Sequence, residues 1–413
     1  MSAAPDADAA LDPSTRANLE AILAVARELP SAEDAGVGGR NAAVLGQIAE
    51  LAADIERVLD VADGFERLEA PPPPPRIAVL CGSTTDGGAA DGTGAGYEGT
   101  LGDVDPDFEP ILRAALPDGA VLVPYEEAIA AGDCVGALTV THAHVSDALL
   151  EKLGPKLRVV SNYGVGVNHV DLEACARRGV KVGHTPGVLA DATADLAWAL
   201  LLACARRVPE CDAYARSPAF VAYDNMAFLG CDVAGKTLGV VGMGSIGGEV
   251  ARRALGFKME TLYFNRTRRP EAVERELKAT WVPRLADLLP RCDFVVVVCP
   301  LTPATAGLLG AATLPLMRDG SVLVNVSRGG VVDQAALLAA LDGPGGLARA
   351  GLDVSSPEPL PPGHALRGHA KVVWTPHRGS ATTGARRAMA ELAAANLALG
   401  VAGAPLAHCC NGL

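Results

Sequence analysis

With 413 residues, 49% of them hydrophobic and 20% charged, the chain is long enough to bury the cores of two domains. Its formal net charge of −13 sets it against nucleic acid and anionic membranes, whose phosphates would repel it. The charge is uneven: residues 1–75 carry fourteen acids and five bases, so the remainder is close to neutral and leaves room for a locally basic pocket.

Ten cysteines lack metal-ligand spacing, and Cys204 and Cys299 sit in apolar runs where a reduced thiol behaves as a small hydrophobe. A cytoplasmic setting is expected, with an organelle as the other option. No uncharged stretch reaches membrane-spanning length, and the N-terminus lacks a basic-then-apolar signal pattern. Cys409-Cys410-Asn411-Gly412-Leu413 is only superficially a prenylation box, because Asn411 and Gly412 are not aliphatic.

In chain order, 14–29 and 41–68 read as two amphipathic helices, the second with Leu45, Ile48, Leu51, Ile55, Val58 and Leu59 at helical spacing. Pro71–Pro75 form a stiff linker. The strand Ile77–Cys81 opens the main body, and 82–103 read as a Gly- and Asp-rich insertion. Strands follow at Val121–Pro124, Ala137–Thr141 and Arg158–Ser161, then a long, apolar helix at Asp191–Val208. A helix so apolar is expected to be buried between domains or subunits, and it is the expected dimer contact. Beyond it come strands at Thr237–Val241, Glu260–Phe264, Phe294–Cys299, Ser321–Ser327, Gly351–Val354 and Lys371–Thr375. Helices occupy Ile246–Leu255, Asp333–Leu341, with Asp333 as N-cap, and Thr383–Leu399. Strand alternating with helix predicts an α/β fold with parallel sheets covered on both faces.

Gly242-Met243-Gly244-Ser245-Ile246-Gly247 follows an apolar strand and opens a helix, the context in which this pattern binds a dinucleotide. Gly242 permits the tight turn, Gly244 lets a pyrophosphate approach the backbone, and Gly247 lets helix and strand pack closely. The helix N-terminus then offers N–H groups to the phosphates. At the end of the next strand, Asn265-Arg266-Thr267-Arg268-Arg269 stands where NAD-binding chains usually carry an acid for the ribose 2′-hydroxyl. Guanidinium groups suit a 2′-phosphate, so NADP(H) is the expected cofactor, with NAD(H) as the second choice.

Three ionisable residues follow strand ends: Arg328, Glu358 and His377. Ligands of open parallel sheets bind outside the carboxyl ends of the strands, so all three can face one crevice. In such a set, Arg328 can bind a carboxylate and steady a developing oxyanion, His377 can deliver a proton, and Glu358 can orient the imidazole and favour its charged form. His142 and His144 alternate like metal ligands, but no third ligand is evident and no metal is expected.

Several stretches together resemble the D-isomer-specific 2-hydroxyacid dehydrogenases: Ser327-Arg328-Gly329-Gly330-Val331-Val332-Asp333, Gly351-Leu352-Asp353-Val354 with Pro357-Glu358-Pro359-Leu360, and Pro376-His377-Arg378-Gly379-Ser380. Within that family, Leu301-Thr302-Pro303-Ala304-Thr305 and Ser355-Ser356-Pro357-Glu358-Pro359-Leu360-Pro361 are most similar to glyoxylate/hydroxypyruvate reductases. The resemblance is strong over 157–407, faint over 76–156 and absent before. It implies a small 2-keto acid substrate, a homodimer, and substrate carboxylate binding by the backbone N–H groups of Val165-Gly166. It also implies cofactor contacts from Thr193, Cys299, Thr305, Val326 and Asp353, although Asp353 reads equally well as a loop cap and Thr193 as facing its own helix.

A Rossmann nucleotide domain at 181–377 is expected to be inserted in a flavodoxin-like substrate domain at 76–180 and 378–413, with 1–75 as a helical extension. Two positions depart from the family pattern: Ser245 stands where Arg is frequent, and Arg378 follows His377 where a small or apolar residue is usual. A second reading is a nucleotide-sensing, corepressor-like binding protein, which would carry the same Arg, Glu and His.

Overall fold

A computed structural model describes residues 13–28, 46–56, 74–81, 101, 106–140 and 143–413. The insertion at 82–103 (Leu101 apart), His142, and most of the expected 41–68 helix and of the proline linker lie outside the described residues. The chain divides into two compact units, one holding residues 96–188 and 383–413 with the N-terminal part, the other residues 189–382.

The first unit is built on a wholly parallel sheet. Its strands are β1 (Arg76–Cys81), β2 (Val121–Pro124), β3 (Gly136–Val140), β4 (Val159–Asn162) and β5 (Lys181–Gly183), in the order β2-β1-β3-β4-β5. That is the flavodoxin-like doubly wound order. Every residue of β3 and β4 is buried, as expected of strands covered on both faces. The helix Pro13–Glu28 packs Leu19 and Leu23 on Ile55 as a small satellite core.

The second unit carries β6 (Thr237–Val241), β7 (Glu260–Phe264), β8 (Ala279–Trp281), β9 (Phe294–Val297), β10 (Val322–Asn325), β11 (Arg349–Leu352) and β12 (Val372–Trp374). All are parallel, in the order β12-β11-β10-β9-β6-β7-β8. This is the Rossmann order with a seventh strand, and its direction reverses between β6 and β9. β9 is Phe-Val-Val-Val, all buried, a β-branched run suited to the centre of such a sheet.

Three sequence expectations change. The apolar helix, observed at Ala190–Arg206, is buried in its own unit, where Leu200, Leu201 and Cys204 belong to the core. Trp198 stacks on Phe257 at 4.4 Å and donates its indole N–H to the Val250 carbonyl at 3.0 Å. The pairing of Lys181–Gly183 with β4 keeps those residues in the first unit, so the first crossing between units falls at 188–189 and not at 180–181. The return falls at 382–383, because Asp353 of the second unit binds the backbone N–H groups of Arg378 and Gly379. Among the described residues no helix is long and apolar enough to cross a membrane.

Leu323, fully buried in β10, tests the central packing of the second unit. Leu323→Ala should cost about 2–5 kcal/mol, read as a lower denaturation midpoint for that unit. An unchanged midpoint would contradict the core described.

Candidate active site

The turn after β6 places each glycine for a distinct reason. Gly242 has φ +104°, and a Cβ there would lie 2.7 Å from the Cys299 backbone nitrogen, across the point where the sheet order reverses. A Cβ at Gly247 would lie 2.0 Å from the Gly242 carbonyl oxygen. Gly244 is different: nothing stands within 4 Å of a Cβ built there. Open space over the N-terminus of the helix Ser245–Ala254 is what a pyrophosphate needs, so these residues fit a dinucleotide. The Met243 side chain is buried in the core and Ile246 packs against it, which leaves their backbones, and that of Ser245, to face a ligand.

The stretch after β7 is tethered on all sides. Asn265 accepts from the Met243 N–H at 3.4 Å and donates to the Thr267 carbonyl at 2.9 Å, while Trp281 donates to the Asn265 carbonyl. Arg268, counted in the sequence among the phosphate-facing guanidiniums, is committed elsewhere. It makes a forked contact with Glu274, down to 2.7 Å, and Glu274 also accepts from the Tyr263 hydroxyl at 2.6 Å. The Arg268 hydrogen bond, then that of Tyr263, hold the Glu274 carboxyl below its ordinary range. Arg266, Thr267 and Arg269 remain exposed, and neither Arg266 nor Arg269 has an acidic partner among the described residues.

Cys299 and Val326 are buried after β9 and β10, and burial pushes the Cys299 thiol up to about 11, so it is inert as a nucleophile. The Thr305 hydroxyl closes its own turn, donating to the Pro300 carbonyl at 2.6 Å and accepting from the Thr302 N–H at 2.8 Å. Thr193 donates to the Leu189 carbonyl of its own helix at 2.9 Å. Asp353, 1% exposed, acts as the loop cap. It accepts from the Thr375 hydroxyl (2.6 Å) and from the N–H groups of Arg378 (2.7 Å) and Gly379 (2.8 Å).

That cap sets the reacting groups. His377 adopts φ +52°, a conformation that costs a non-glycine residue of order 1–3 kcal/mol, and its own N–H is anchored on the Asp353 carbonyl at 2.8 Å. Its Nδ1 lies 2.5 Å from Glu358 Oε1, while Glu358 Oε2 accepts the Ser355 N–H at 3.1 Å. Burial pushes the Glu358 carboxyl up, but the hydrogen bond and charge of His377, the Ser355 N–H and the Arg328 charge outweigh it and leave the carboxyl below its ordinary range.

Arg328 leaves β10 in extended conformation, organised by Asn325, whose amide donates to the Arg328 carbonyl at 3.0 Å and accepts the Ser327 N–H at 3.0 Å. Burial draws the guanidinium below its usual value and Glu358 draws it back. A Cβ at Gly329 would stand 1.9 Å from the Ser355 carbonyl carbon, so only glycine lets the Arg328 and Glu358 loops meet. The structure thus brings Arg328, Glu358 and His377 together. Arg378 projects to an exposed position. Asn325 and Ser355 were not read from the sequence, although an amide ending the apolar run Val-Leu-Val-Asn was a signal. Among the described residues no cluster of metal ligands occurs.

On the first unit, Val165-Gly166 follow β4. The carbonyls of Gly164 and Gly166 accept from the Asn162 side chain at 2.9 and 3.1 Å, and Asn162 is itself held by Thr139 and His169. The Val165 and Gly166 N–H groups meet no acceptor among the described residues.

A dinucleotide turn at the sheet's switch point, with a half-buried cation and a histidine–carboxylate pair after neighbouring strands, defines an NAD(P)-dependent oxidoreductase. Residues 198–379 match the family model for the D-isomer specific 2-hydroxyacid dehydrogenase, NAD binding domain. The glyoxylate reductase of Thermococcus gammatolerans is 51% identical over 247 residues, covering 59% of this chain and 73% of the relative. The glyoxylate reductase/hydroxypyruvate reductase of Mus musculus is 42% identical over 296 residues, 71% of this chain and 86% of the relative. Among solved structures, the NADPH-dependent glyoxylate/hydroxypyruvate reductase of Sinorhizobium meliloti, with NADP and malonate, aligns with TM-score 0.66 and 30% identity over 79% of this chain and 93% of that one. The chain belongs to the D-isomer-specific 2-hydroxyacid dehydrogenase family.

Gly244→Val separates folding from binding. The added side chain enters open space, so the melting temperature should stay within a few degrees, while NADPH affinity by fluorescence titration falls at least about tenfold. Wild-type affinity would remove this turn as the nucleotide site.

Proposed function

We propose that this protein reduces a small 2-keto acid, glyoxylate or hydroxypyruvate, to the D-2-hydroxy acid and prefers NADPH to NADH. The observation that carries the reading is the 2.5 Å contact between His377 and Glu358 beside Arg328. The reductases among its relatives, one of them described as NADPH-dependent, support it.

In this reading, the Arg328 guanidinium binds the keto-acid carboxylate and polarises the carbonyl. The N–H groups of Val165 and Gly166, set by the local geometry of the first unit, are likewise suited to a carboxylate. The bound nicotinamide supplies the hydride. His377 gives a proton from Nε2 to the carbonyl oxygen as negative charge develops there. Glu358, kept ionised by its surroundings, holds Nδ1 and stabilises the imidazolium before transfer. Arg266 and Arg269, the guanidiniums left without an acidic partner, receive the 2′-phosphate of NADPH. Gly242, Gly244 and Gly247 shape the pyrophosphate turn, and the backbones of Met243, Ser245, Ile246 and Asn265, with Thr267, Cys299, Thr305, Val326, Asp353 and Thr193, surround the cofactor.

A homodimer is part of the proposal. The exposed apolar side chains of Val208, Phe220, Val221, Tyr223, Met226 and Leu229 support it better than the buried helix before them. The corepressor-like alternative carries the same trio, and the reductases found among the relatives speak against it.

His377→Ala should lower kcat for glyoxylate on the order of 10²-fold or more, and Arg328→Ala should lower kcat/KM by a similar factor. Full turnover in either variant would remove its assigned role. Joint replacement of Arg266 and Arg269 by Ala should raise KM for NADPH at least about tenfold and leave that for NADH within a factor of two. Arg268→Ala should act on stability more than on cofactor choice. Equal loss with both nucleotides would overturn the 2′-phosphate assignment.

A further inference from the structure

The Val165-Gly166 backbone is aimed by groups that no step of the reaction uses. A trans peptide is planar, with its carbonyl oxygen and N–H pointing in opposite directions, so a donor that fixes the oxygen also fixes where the N–H points. The peptide joining Gly164 to Val165 is held at its oxygen by Asn162 (2.9 Å) and the Thr185 N–H (3.1 Å). The peptide joining Val165 to Gly166 is held at its oxygen by His184, whose Nδ1–H donates at 3.0 Å. Both N–H groups therefore point away from these tethers, and neither meets an acceptor among the described residues.

His184 owes its place to the C-terminal segment. Its N–H donates to the His408 carbonyl at 3.2 Å, and the two rings meet edge to face at 6.4 Å. Asn396, fully buried on the helix Thr383–Val401, donates to the His184 carbonyl at 3.0 Å and accepts the His408 N–H at 3.3 Å. Gly183 makes this approach feasible, since a Cβ there would lie 2.8 Å from that of Asn396. The tail then runs along the open edge of β5. Cys410 donates its N–H to the Val182 carbonyl, and the Asn411 side chain accepts from the Val182 N–H and donates to the Val180 carbonyl at 2.8 Å.

We infer that His184, steadied by Asn396 and the C-terminal His408, is a positioning residue for the keto-acid carboxylate, fixing the peptide whose Gly166 N–H meets it. The inference rests on the keto-acid reading of Val165-Gly166. His184 touches no reacting atom; it acts through the Val165 carbonyl, so its loss should weaken substrate binding and spare the chemical step.

Two amides discriminate this role. The Asn amide nitrogen occupies the position of imidazole Nδ1, whereas the Gln amide nitrogen reaches that of Nε2. His184→Asn should retain KM for glyoxylate within a factor of two. His184→Gln should raise it about five- to tenfold, the loss of one well-placed hydrogen bond, with kcat and KM for NADPH within a factor of two of wild type. If His184→Gln does not fold, the chain truncated after Ala407 serves, since it keeps His184 and Asn396 but removes the His408 part of the support; it should raise KM in the same direction. Keto-acid turnover with an unmoved KM in the tested variant, or equal KM in the Asn and Gln variants, would overturn the positioning role alone. A wild-type protein inert toward every 2-keto acid would overturn the functional reading and this inference with it.

Discussion

Histidine and carboxylate 19 residues apart must meet at 2.5 Å with a guanidinium nearby, and much of the second unit is arranged around that requirement. A guanidinium, an imidazole and a carboxylate in a partly buried place are tolerable only if each has partners, because unpaired polar and charged groups in low dielectric are costly. Here the carboxylate is shared among His377, the Ser355 N–H and the field of Arg328. Asp353, buried and acceptor to three donors, absorbs the bending of the backbone that carries His377 through φ +52°. Asn325 does the same for the turn that carries Arg328.

The parallel sheet supplies the convergence. The residues in question leave the carboxyl ends of β10, β11 and β12, which are neighbours in the sheet, and the dinucleotide turn leaves β6 beside β9. Loops are then close without long connections, and glycine appears where backbone meets backbone: Gly329 against Ser355, Gly242 against Cys299. Local strain and missing side chains at these points are accepted because the buried strands beneath them are well packed.

Legibility in the sequence followed the range of the interactions. The glycine turn, the strand run read at Phe294–Cys299 and observed at Phe294–Val297, the N-cap Asp333 and the positions of the three ionisable residues after strand ends were readable because each is local pattern plus a strand end. Arg268 was misread as facing a phosphate. Its partner Glu274 is only six positions away, but which way both point is decided by Tyr263 on the strand beneath. The apolar helix was read at Asp191–Val208 as buried between domains or subunits, because composition shows that a face is buried but not against what; observed at Ala190–Arg206, it packs on the core of its own unit. The short strands Lys181–Gly183 and Ala279–Trp281 left too few residues for a periodic signal. The support of Val165 by His184, Asn396 and His408 joins distant parts of the chain and could not be seen before folding.

A crystal structure with NADP and oxamate, a non-reducible mimic of a 2-keto acid, tests the central claim most directly. The account predicts oxamate carboxylate oxygens on the Arg328 guanidinium and its amide carbonyl oxygen within hydrogen-bond reach of His377 Nε2, with Nδ1 still on Glu358. Oxamate bound away from Arg328, or His377 turned from the carbonyl with the Glu358 contact broken, would contradict it.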